Sequence, residues 1–164
     1  MLGLKKKARA EDVALALLTI ANGSEKSNAG WIRYLKELDV KLNEGRVLDE
    51  LKCLRVFVVE LAVLATLRDP SRQRVFDAYR APFEKMGSLD PESHSALAGL
   101  ATRVVQYRKA AAMPHHIGPA WTVGCAFAEF CGAKEDIRIV GMAGIEFKLI
   151  YKLTTEYLSN FKIV

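Results

Sequence analysis

Residues 56–67 read VFVVELAVLATL, and Glu60 is their only charged member. As a helix this segment is apolar on nearly every side, and a helix of that kind is stable only where other elements cover it all round. It belongs to a longer helical segment, about 46–67, which the sequence therefore places at the centre of the fold. The same region, Val47 to Leu67, carries Asp49, Glu50, Lys52, Arg55 and Glu60. That many charges argue against a membrane span.

Outward from this segment, breakers divide the chain into about seven helices, and no stretch sustains a two-residue alternation. The first helix is expected at about 9–22, before Gly23. The second, at about 28–43, puts Trp31, Tyr34, Leu35, Leu38 and Leu42 on one face and is expected to stop at Gly45. Three later helices start at Asp69-Pro70, Asp90-Pro91 and Gly118-Pro119, where proline opens the first turn behind a capping residue. Pro82 predicts a kink or break near Arg80. The last and longest helix is expected at about 136–161. The fold class is all-α: one domain over residues 1–164, a bundle or orthogonal array of about seven helices, with residues 1–8 as a basic tail.

The chain has 164 residues, 51% hydrophobic and 26% charged, with a net charge of +5. This is ordinary globular usage. The positive charge is dispersed, apart from Lys5, Lys6, Lys7 and Arg9, so solvated helix faces account for it. A nucleic-acid role would fall on Arg68, Arg72, Arg74 and Arg80, and is the weakest of the partner classes. Glu11 and Asp12 separate the basic N-terminus from the apolar stretch VALALLTIA, which fits a helix's first turn rather than a secretion signal. Three cysteines, at 53, 125 and 131, form no disulfide framework. A reducing, cytoplasmic setting is expected from them.

Residues 113–132, MPHHIGPAWTVGCAFAEFCG, concentrate metal-binding residue types. Their spacing does not suit a site. Cys125 and Cys131 would point roughly 120° apart on a helix, and no recognised zinc, haem or di-iron spacing occurs. His115 and His116 are expected to satisfy carbonyls at a helix end. Neither a metal nor a cofactor is implied. Gly124, Ala128 and Gly132 instead form a small-residue stripe beside Trp121, suited to close approach of another helix. Two outcomes are open for it: the axis of the core, or an interface with a second chain, through Trp121, Gly124, Ala128 and Gly132.

Two carboxylates sit where an amphipathic pattern would not put them. Glu60 has Val56, Phe57, Val63 and Leu64 as its helical neighbours, and Glu146 has Met142, Ala143, Leu149 and Ile150. Another helix carries His94 and Arg108 at the two ends of its apolar face, so pairing across helices is expected. Either the pairs are structural or they edge a polar pocket that binds a ligand through Glu60, Glu146, Arg108 and His94. Gly141 and Gly144, inside the last helix, call for close packing.

No motif names a reaction, so an enzyme is disfavoured. The function expected first is a non-enzymatic interaction or scaffolding protein, partnered by a second copy of itself or by another helical protein. The alternative is a small-molecule binding or regulatory bundle, with an apolar pocket for an apolar ligand.

Overall fold

The apolar segment at 56–67 folds into the helix around which the others gather. In the computed structural model, which describes residues 5–164, the elements run β1 (Lys6–Ala8), α1 (Ala10–Asn22), α2 (Glu25–Glu37), α3 (Glu44–Thr66), α4 (Ser71–Gly87), α5 (Pro91–Ala112), α6 (Pro119–Cys131), α7 (Ile137–Ser159) and β2 (Phe161–Ile163). The fold is all-α, with seven helices among the described residues. Every residue from Leu54 to Glu60 is buried, which no helix with one face on solvent could show. Helices α1, α4, α5, α6 and α7 all contact α3. No helix of the described residues is long and apolar enough to cross a membrane.

Side-chain caps set four of the helix starts, whereas α1, α4 and α6 begin without one, and Pro70, not Asp69, stands at the start of α4. Ser24 Oγ accepts from the Ser27 amide at 3.1 Å, Asn43 Oδ1 from Arg46 at 2.9 Å, Asp90 Oδ1 from Ser93 at 2.7 Å and Asp136 Oδ1 from Arg138 at 3.0 Å. Each satisfies an amide that the helix leaves unpaired. The Ser24 and Asn43 caps explain two departures from the sequence expectation. The second helix begins a turn earlier, at Glu25, and ends at Glu37. Gly45 does not stop it but lies in the first turn of α3.

Helix α4 also continues through Pro82 without a break. Tyr79 and Phe83 flank the proline with ring centroids 5.6 Å apart, so side-chain packing spans the turn that lacks a hydrogen bond. Lys6–Ala8, expected in a basic tail, pair in parallel with Phe161–Ile163, and α7 accordingly ends at Ser159. Strands of three residues are too short to write an alternating pattern into the sequence. Residues 1–4 of the expected tail lie outside the described residues.

The small-residue stripe of α6 serves the core. A Cβ on Gly124 would overlap the Val140 carbonyl oxygen of α7, and one on Gly144 would lie 3.0 Å from the Ala120 carbonyl oxygen. Ala128 is wholly buried. The close approach expected of Gly124 is thus made within the chain, against α7. Gly132 acts through its backbone instead. Its φ of 85° forms the left-handed cap of α6, where Ala133 N–H donates to Ala128 O at 2.7 Å. Trp121 is half-buried beside this seam. Rings complete the core, with Trp31 and Phe127 centroids 5.3 Å apart and Phe57 stacked between Tyr107 and Phe147.

Candidate functional site

Three buried carboxylates divide the polar interior, and each has arginine as a partner. Glu146 of α7 accepts from Arg55 Nε of α3 at 2.6 Å and from Trp31 Nε1 of α2 at 3.3 Å. The remaining nitrogens of that guanidinium donate to Asn28 Oδ1 at 2.7 Å, Ser27 Oγ at 2.8 Å and Asn22 O at 3.3 Å. Arg55 is 1% exposed, and Gly23 leaves the space its guanidinium fills. With its donors shared among the Glu146 carboxylate and three polar oxygens, this group pins α2 to α3 and α7 and is closed to a ligand.

Glu50 of α3 forms the second group. It accepts from Tyr107 Oη at 2.7 Å and lies 3.0 Å from Arg103 Nε, both of α5. Burial pushes its carboxyl above the ordinary value, while the Tyr107 hydroxyl and Arg103 pull it back. Burial likewise pushes the neighbouring thiols up, Cys53 to about 11 and Cys131 to about 12. They are protonated thiols at neutral pH and poor nucleophiles.

The third group opens on a cavity. Glu60 of α3 accepts from Arg108 Nη2 of α5 at 3.2 Å and from Arg80 Nη2 of α4 at 3.4 Å. It borders a cavity of about 340 Å³ between α3, α4 and α5, whose apolar lining includes Val56, Phe83, Leu97, Leu100 and Val104. Tyr79 also lines it, 2% exposed, and its hydroxyl has no hydrogen-bond partner. Burial, and then the charge of Glu60, raise that hydroxyl far above its ordinary range, so it stays protonated and able to donate. A buried hydroxyl without a partner costs free energy, and Thr154 of α7 carries a second one away from this cavity. Both arginines are about half exposed at the rim, Arg80 lying over the Phe76 ring at 4.9 Å.

Of the residues singled out in the sequence, Glu60 and Arg108 therefore meet at this cavity. Glu146 is buried too, but in the separate Arg55 group. His94 is exposed on the first turn of α5 and makes no hydrogen bond or ion pair with either glutamate. Sequence reasoning missed Tyr79 as a site residue and counted Arg80 among solvated or nucleic-acid-facing charges. It also missed Arg55 and Glu50. For Arg55 a signal was present: Leu51, Val58, Val59 and Ala62 surround it at helical spacing.

The histidine pair does not cap α5. His115 Nδ1 accepts from the Ile117 amide at 3.2 Å, and its ring stacks on His116 with centroids 4.4 Å apart. Among the described residues, no three His, Cys, Asp or Glu side chains are placed to hold a metal ion. The arginines of α4 are partly engaged, with Arg72 bound to Asp69 as well as Arg80 to Glu60. No protein-family model matches this chain, and neither a curated protein nor a solved structure matches it.

Proposed function

We propose that the protein binds a small apolar molecule in the cavity between α3, α4 and α5. One observation carries this function: an apolar cavity of about 340 Å³, lined by Val56, Leu97, Leu100 and Val104, has the Glu60 carboxylate and the Arg80 and Arg108 guanidiniums at its edge. Binding sites for small molecules have this size and this make-up, a mainly apolar wall with a few polar groups that orient the ligand. Isothermal titration with 1-octanol tests it. Saturable one-site binding is expected, and Leu100→Trp, which fills the cavity, abolishes it. Absence of binding to the native protein contradicts the proposal.

Self-association is a second function, supported by a different surface from the one expected on α6. Helix α7 exposes Ile137, Ile145, Leu149 and Leu153, which follow one another along the four-residue row that also holds Gly141. Rows of this spacing are the ridges by which helices pack. A Cβ on Gly141 would meet nothing within 4 Å, so no contact inside the chain calls for a glycine there. Sedimentation equilibrium is expected to show a concentration-dependent dimer that Ile145→Lys with Leu149→Lys converts to monomer. A monomer at every concentration contradicts it.

A further inference from the structure

The two guanidiniums at the cavity rim outnumber the carboxylate between them. Glu60 neutralises one of the two positive charges, and each arginine reaches it through a single nitrogen, Nη2. Among the described residues, the Nε and Nη1 groups of Arg80 and Arg108 make no other hydrogen bond. A guanidinium presents its N–H groups as a planar fork that matches a carboxylate. Glu84, the other acid lining the cavity, is exposed and makes no ion pair among the described residues. Water screens it, yet its charge still opposes a second negative charge on a ligand.

We propose that the cavity takes an apolar monocarboxylate, with its hydrocarbon body against Leu97, Leu100 and Val104 and its carboxylate at Arg80 and Arg108. A phosphate monoester brings two negative charges towards Glu60 and Glu84, and an amine meets two guanidiniums, so a single carboxylate on the free N–H groups of the arginines is the charged group the lining suits best. This assignment rests on the cavity being a binding site, as proposed above, and adds the chemistry of its ligand.

Titration calorimetry at neutral pH with octanoate, 1-octanol and octylamine tests both parts separately. The three share one tail and differ in charge. Octanoate is expected to bind roughly tenfold more tightly than 1-octanol, with octylamine weakest and the octanoate advantage shrinking as salt is raised. Arg108→Gln and Arg80→Gln should each bring the ratio of octanoate to 1-octanol affinity towards one, circular dichroism confirming that each variant is folded. Octanoate and 1-octanol binding equally, both lost in Leu100→Trp, would overturn the carboxylate assignment while leaving the cavity as a binding site. Octylamine binding most tightly would overturn it as well. If none of the three binds the native protein, the cavity itself is not a site and both proposals fall.

Discussion

Arg55 and Glu146 meet at 2.6 Å between α3 and α7, with side-chain exposures of 1% and 9%. A pair so withdrawn from water contributes little net stability compared with apolar residues of the same volume, but breaking it leaves one charge stranded. Arg55→Met should therefore destabilise the fold by roughly 3–5 kcal/mol, while Arg55→Met with Glu146→Leu should cost less but remain destabilising, because Trp31 Nε1, Asn28, Ser27 and the Asn22 carbonyl lose their partner. Urea denaturation measures both. Equal losses in the single and double variants would show that the pair adds more than mutual neutralisation.

The glycines of α6 and α7 should respond in opposite directions. Gly124→Ala drives a methyl group into the Val140 carbonyl of the facing helix, an overpacking that should cost about 1–3 kcal/mol. Gly141→Ala meets open space and should stabilise by about 0.5–1 kcal/mol through helix propensity. Thermal unfolding of the two variants checks the assignment of α6 to the core. A neutral Gly124→Ala would contradict it.

Glu50 should give the folded protein a pH dependence. Its carboxyl titrates above its ordinary value of 4.5 in the folded chain, chiefly because of burial. The folded state then keeps the proton over a window in which the unfolded chain has released it. Its contribution is complete below about pH 4.5 and is lost as pH rises through the folded value. Relative to Glu50→Gln, the native protein should lose stability as pH rises above about 4.5, the ordinary value, and through the raised folded value. Urea midpoints across that range measure the difference, and a constant difference would contradict the assignment.

Helix α3 was legible because the apolar segment 56–67 overlaps its buried run, 54–60, at five positions, although Leu64 in the same segment is exposed. The proline and glycine starts of α5 and α6 were legible because they act through local backbone geometry. The end of α2 was not, since Gly45 carries the same signal inside a capped first turn as beyond a helix end. Glu60 stood out through its apolar neighbours, and Arg108 through its place on an apolar face. Tyr79 did not, because a tyrosine at core spacing is chemically unremarkable until the absence of a partner for its hydroxyl is seen. That absence depends on how α3, α4 and α5 pack together. So does the division of Glu60 and Glu146 between separate groups, which helical angles within one segment cannot express.

Methyl NMR during titration with 1-octanol tests the central claim most directly, because it reports where the molecule sits as well as whether it binds. Saturable shift changes are predicted for the methyl groups of Val56, Leu97, Leu100 and Val104, which line the cavity, with Ile145 and Leu149 on the exposed row of α7 unaffected. Shifts confined to Ile145 and Leu149, or no saturable change at the cavity methyl groups, would contradict it.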